Sequence, residues 1–84
     1  MPEIYWAAEA DRMLDSLSPR VREQIRQKVE LLREFPYLGV ALRGEWKGFR
    51  QLVIAKHRVV YQLVSEEQGI VVAYIRPPGQ KSTG

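Results

Sequence analysis

The sequence predicts an α+β domain, with an N-terminal strand and a helical hairpin packed on one face of a small, mainly antiparallel β-sheet in the order β-α-α-β-β-β. Three observations lead there. Apolar residues recur at three- and four-residue spacing from Ala7 to Glu34. The pair Ser18-Pro19 interrupts that pattern near its middle. From Phe49 to Ile75 the chain changes to runs of β-branched and aromatic residues separated by short polar breaks.

Each element has its own signal. Ile4, Tyr5 and Trp6 follow Pro2 as one β-branched and two aromatic residues, which suits a short edge or closing strand. From Ala7 to Leu17, Ala10, Met13, Leu14 and Leu17 share one helical face. Asp11 and Asp15 lie one turn apart on the polar side, where such a pair reads as solvated surface rather than an acid/base couple. Ser18 can cap the next helix and Pro19 suits its first position. That helix runs to about Glu34, with Val21, Ile25, Val29, Leu32 and Phe35 as its apolar stripe. Pro36 then ends it and Tyr37-Leu38-Gly39 connects onward. Val40 to Lys47 reads as a loop holding Gly44 and Trp46. Strands follow at Phe49–Ile54, His57–Val64 and Ile70–Ile75, with the polar turn Ser65-Glu66-Glu67-Gln68-Gly69 before the last. A single domain over residues 1–76 is expected, with 77–84 as an extended tail set off by Pro77-Pro78.

Composition limits the chemistry. The chain has 84 residues, no cysteine and one histidine, so thiolate sites, disulfides and histidine clusters are excluded, and no cofactor or metal is expected. A chain of this length buries only about 60–65% of its unfolded surface, so most apolar residues must serve the core. No run approaches the roughly 18–20 apolar residues of a membrane span, and the start lacks a signal peptide pattern, so a cytoplasmic protein is expected.

The net charge is +3, and its positive part is concentrated: Arg43, Lys47, Arg50, Lys56 and Arg58 face the single acid Glu45 over that stretch. With the helices on one side of the sheet, the other face is left open, and arginines on it would form a groove for phosphates or an acidic partner. The hairpin register decides which arginines share it. A two-residue turn at Ala55-Lys56 puts Arg50 opposite Tyr61 and away from Arg58. A three-residue loop Ile54-Ala55-Lys56 puts Arg50, Leu52, Arg58, Val60 and Gln62 on one face, with Val53, His57, Val59, Tyr61 and Leu63 on the other. The second separates polar from apolar more cleanly and is the favoured expectation. Trp46 reads as a lid on the core, with stacking on a base as the alternative. His57 and Tyr61 read as structural.

LRGEWKGFRQLVIAKHRVVYQL, preceded by a helical hairpin and followed by IVVAYIR, resembles the RelE/ParE superfamily of toxin–antitoxin toxins. The likeness spans the chain from the first helix to Arg76 and is carried by the Leu-Arg-Gly loop, Gly48-Phe49-Arg50 and Arg58-Val59-Val60-Tyr61. It implies a small toxin neutralised by a cognate antitoxin that wraps it. Its RelE-like members cut messenger RNA in the ribosomal A site, without a metal, by attack of the RNA 2′-hydroxyl on the neighbouring phosphate. The resemblance matches Arg50, Arg58 and Arg76 to basic positions of the RelE-like catalytic site, and with that site Arg43, Lys47, Lys56 and Lys81 are expected to bind RNA. Two departures stand out: Leu52 occupies a position often held by a second strand cation, and Pro77-Pro78-Gly79 replaces a basic, tyrosine-bearing tail. A ParE-like inhibitor of DNA gyrase, acting by binding alone, is the alternative. A toxin-like fold without catalytic activity, or one acting mainly as a corepressor with its antitoxin, is another.

Overall fold

The computed structural model describes residues 2–65 and 69–79. The elements are β1 (Glu3–Trp6), α1 (Ala8–Ser16), α2 (Pro19–Glu30), a 3-10 turn at Leu31–Arg33, β2 (Val40–Ala41), a second 3-10 turn at Gly44–Trp46, β3 (Phe49–Ile54), β4 (His57–Ser65) and β5 (Gly69–Arg76). The sheet order is β1-β5-β4-β3-β2. β1 runs parallel to β5, and the remaining pairs are antiparallel. The expected α+β architecture is therefore present, with β1 on an edge.

The hairpin forms for the reasons its sequence gives. The Ser18 hydroxyl accepts from the Val21 N–H at 3.4 Å, and Pro19 opens α2. Arg22 closes the corner by donating from Nη2 to the Leu17 carbonyl at 3.0 Å. Ala10 and Leu14 of α1, Ile25 and Val29 of α2, and Leu32 pack with Leu52, Ile54, Val59, Tyr61, Ile70, Val72 and Ile75 in one core. Burying each large aliphatic side chain contributes about 1.5–3 kcal/mol, so this layer holds the helices to the sheet. No helix among the described residues is long and apolar enough to cross a membrane.

Phe35 departs from the expected stripe: it is 55% exposed. α2 stops at Glu30 instead of running to Glu34, and Leu31–Arg33 tightens to a 3-10 turn. Phe35 lies beyond that turn and directly before Pro36, which disfavours helical backbone at Phe35, so the chain has left the helix and carries the ring off the core face. β2 was also not expected. Two residues are too few for a periodicity signal, yet Val40 and Ala41 pair with Gln51 and Arg50.

The hairpin register is the second correction. Ile54 pairs with His57 across a two-residue turn, and Arg50 pairs with Tyr61. Ala55 and Lys56 both adopt left-handed backbone, with φ of 50° and 67°. That conformation costs roughly 1–2 kcal/mol per residue for a side chain with a Cβ. The register buries Leu52 and Ile54 beside Val59 and Tyr61 and leaves Val53 63% exposed, whereas the three-residue loop would have turned Leu52 outward. Two buried aliphatic residues at about 1.5–3 kcal/mol each outweigh the turn. Replacing Ala55-Lys56 with Asn-Gly, which suits this turn type, should raise stability by about 1–2 kcal/mol. A higher urea midpoint with an unchanged slope is the expected result.

Part of the predicted polar turn, residues 66–68, and the tail beyond Gly79, including Lys81, lie outside the described residues.

Candidate functional site

The face of the sheet away from the helices is built by alternation. β3 contributes Phe49, Gln51 and Val53, and β4 contributes Arg58, Val60 and Gln62. On β5 simple alternation from Ile70 and Val72 would send Tyr74 and Arg76 toward the helices. A bulge prevents this: Tyr61 pairs with Val72 but Val60 pairs with Tyr74, so Ala73 is the extra residue. Beyond it, Tyr74 and Arg76 project to the open face while Ile75 enters the core. Bulges often re-aim side chains beside functional sites.

The result is that Arg58 and Arg76 are direct cross-strand partners. Like charges in this position repel. Among the described residues neither guanidinium is within ion-pair distance of a carboxylate, the one such pair being Arg33 with Glu30. Arg76 instead lies over the indole of Trp46, 5.4 Å from the ring centroid.

Trp46 reaches this face because the Gly44–Trp46 turn folds back onto the sheet, where Gly48, at a φ of 97°, redirects the chain into β3. Its ring meets Phe49 of β3 edge-on at 5.4 Å and Tyr74 of β5 at 5.4 Å, and therefore bridges β4 between them. That explains why Val60 is 1% exposed on a face that no helix covers. Trp46 is thus a lid, but over the open face rather than the helix-side core. Replacing Trp46 with Ala should lower stability by about 1–2 kcal/mol through the lost aromatic pairs and release Arg76; chemical denaturation with near-UV dichroism reads the first effect.

Arg50 is not part of this arrangement. Its partner Tyr61 is on the helix side, and its Nη1 donates to the carbonyls of Gly39 at 2.6 Å and Tyr37 at 3.3 Å, with the guanidinium 4.8 Å over the Tyr37 ring. The expectation that Arg50 and Arg58 share a face is therefore corrected: Arg50 braces the connection into β2. Tyr61 braces the same connection from below. Its hydroxyl donates to the Pro36 carbonyl and accepts from the Gly39 N–H, each at 2.8 Å. Burial pushes this phenol above its ordinary range, partly offset by the Gly39 N–H and by Arg50. Gly39 is needed where it stands, because a Cβ there would lie 2.7 Å from the Tyr61 ring and 2.9 Å from the Gln51 carbonyl.

His57 is buried, and its Nδ1 lies 2.9 Å from the Ala55 carbonyl, which can only accept, so that nitrogen carries a proton and the side chain stabilises the turn. Arg43, Lys47 and Lys56 are exposed, the first two around the Trp46 turn and the third in the β3–β4 turn. No group of three or more metal-ligating side chains occurs among the described residues. Sequence reasoning missed Tyr74, whose position depends on the bulge.

The family model for the ParE toxin of type II toxin–antitoxin systems matches residues 4–81. No curated protein matches the chain. Among solved structures, the chain is similar to isolated RelE toxin from E. coli, at 21% identity, covering 96% of this chain and 88% of that one, with a TM-score of 0.82. It is similar to the RelBE2 toxin–antitoxin complex of Mycobacterium tuberculosis at 24% identity over 90% and 98% of the two chains, with a TM-score of 0.77. A chromosomal ParDE system from P. aeruginosa shares 17% identity over 93% and 97%, with a TM-score of 0.72. Both the two-helix, five-stranded fold and the near-complete family match agree with the resemblance carried by the Leu42 to Leu63 stretch. The chain belongs to the ParE toxin family of the RelE/ParE superfamily, and is the toxin of a type II toxin–antitoxin module.

Proposed function

We propose that this toxin is a RelE-like, ribosome-dependent messenger RNA endoribonuclease whose phosphate-binding centre is Arg58 and Arg76. The observation that carries this reading is their cross-strand pairing without a carboxylate partner among the described residues. Two guanidiniums held together this way are stabilised by an anion between them, and arginine forks match phosphate oxygens. In the reaction, O2′ of one nucleotide bonds to the adjacent phosphorus and the bond to O5′ breaks. The 2′-hydroxyl loses a proton and the leaving O5′ gains one. Charge grows on the non-bridging oxygens as the phosphorus becomes five-coordinate, and Arg58 and Arg76 neutralise it.

The strands of this face supply no carboxylate or imidazole beside the pair. Proton movement then falls to water or ribosomal groups, which accounts for a dependence on the ribosome. Arg43, Lys47 and Lys56 add positive charge at the margins for RNA backbone, and Lys81 is a further cation in the sequence for the same role. An activity that needs ribosomes is cytoplasmic. The partner is a cognate antitoxin whose acidic or amphipathic segment covers the open face and neutralises Arg58 and Arg76.

One observation favours a second reading. Arg50 and Leu52 belong to the helix side, so β3 adds no cation to the open face. A face with two arginines and an aromatic lid also suits a protein surface, as in gyrase inhibition by binding. Two assays run side by side separate these readings. The first reading expects truncated message in a translation extract and normal gyrase supercoiling. Inhibited supercoiling with intact message would replace it with the second.

A further inference from the structure

Tyr74 has no part in the chemistry above, yet it is a large aromatic side chain standing 40% exposed beside the arginine pair. Its surroundings are asymmetric. On one side the Trp46 ring holds it edge-on. On the other, β1 pairs with β5 only as far as Val72, so no strand flanks Tyr74 there. The buried Val60 lies directly across from it. One side of the phenol ring is therefore supported and the other is open.

Trp46 is less suited to receive a ligand, because Arg76 lies over its ring and both neighbouring aromatics meet it edge-on. Tyr74 and Arg76 are two residues apart on one strand and project to the same face. Such side chains emerge roughly 6.6 Å apart, a separation that a ribose joining a base to its phosphate can bridge. Aromatic platforms beside basic residues bind single strands in a sequence-tolerant way, since every base has a π face.

We propose that Tyr74 is the base-stacking platform of a nucleotide subsite in a single-stranded RNA, whose phosphate is held between Arg58 and Arg76. The inference rests on the RNA-directed reading of this face. Trp46 fixes the platform from behind, and the β5 bulge brings platform and phosphate site to the same side.

The test is binding of the full chain to a short, fluorescently labelled, 2′-O-methyl RNA, which cannot be cleaved, and to the same backbone made abasic. The unaltered protein should bind the base-bearing strand on the order of tenfold more tightly. Tyr74→Leu, which keeps an apolar contact for Trp46 and Val60, should abolish that difference. Tyr74→Phe should retain it, which also guards against a folding artefact. Arg58→Ala should weaken both strands alike. Equal binding of the two strands by the unaltered protein, or an undiminished difference in Tyr74→Leu, overturns the platform while leaving the RNA reading standing. Binding of neither strand overturns the platform, whereas the RNA reading stands or falls separately on cleavage of message in the translation extract.

Discussion

Arg58→Ala should lower the rate of message cleavage by about 10²–10³-fold, the effect expected on removing one preorganised donor to a developing oxyanion. The same substitution should not reduce stability. Arg58 faces Arg76 across the β4–β5 ladder, and removing one of two opposed like charges relieves repulsion by a few tenths of a kcal/mol. Lost toxicity together with an equal or slightly higher melting temperature is the expected signature. Arg58→Lys should recover only part of the activity, because an ammonium cannot grip two oxygens in a fixed plane. Arg50→Ala should behave differently. Its guanidinium holds the Tyr37 and Gly39 carbonyls, so it should lower stability first and activity only as a consequence.

The largest stability effect should come from Tyr61. Its ring is fully buried in the core, and its hydroxyl holds both Pro36 and Gly39. Tyr61→Ala leaves a large cavity and should cost about 3–5 kcal/mol. A domain of this size has roughly 4–12 kcal/mol in total, so the variant should lose at least about a quarter of its stability, with a much lower urea midpoint. Tyr61→Phe fills the volume but strands the Gly39 N–H, and should cost about 1–3 kcal/mol. The phenol also gives a pH signature. Its native pKa is raised above the ordinary value of about 10, chiefly by burial, so above pH 10 the unfolded chain releases this proton before the native state does. The unfolded state then binds fewer protons, and stability that is fully present below pH 10 is lost as pH rises through the native value. Urea midpoints measured from pH 9 upward should fall faster for the unaltered protein than for Tyr61→Phe.

Much of the fold could be read from local pattern, because local pattern caused it. The hairpin rests on Ala10, Leu14, Ile25 and Val29 at helical spacing and on the Ser18-Pro19 cap, all signals confined to one or two turns. The strands from Phe49 onward follow their β-branched runs to within a residue or so. The site was less legible, since it depends on pairing between distant residues. Ala55 and Lys56 carry none of the glycine or asparagine that marks a two-residue turn, and burial of Leu52 and Ile54 overrides their local cost. That one choice sends Arg50 to the helix side. The bulge at Ala73 leaves no mark in the composition of β5, yet it brings Tyr74 and Arg76 to the open face. The facing of Arg58 was least sensitive to these choices, because His57 and Val59 on either side of it turn inward in both registers.

Primer extension on message recovered from a cell-free translation reaction shows whether Arg58 and Arg76 form a cleavage site. With the purified chain present, new 5′ ends should appear inside translated codons. These should be absent when ribosomes are omitted, and strongly reduced with Arg58→Ala. Full-length message at every codon, in a reaction where the chain is folded and in excess over ribosomes, would contradict the assignment of Arg58 and Arg76 to a cleavage site.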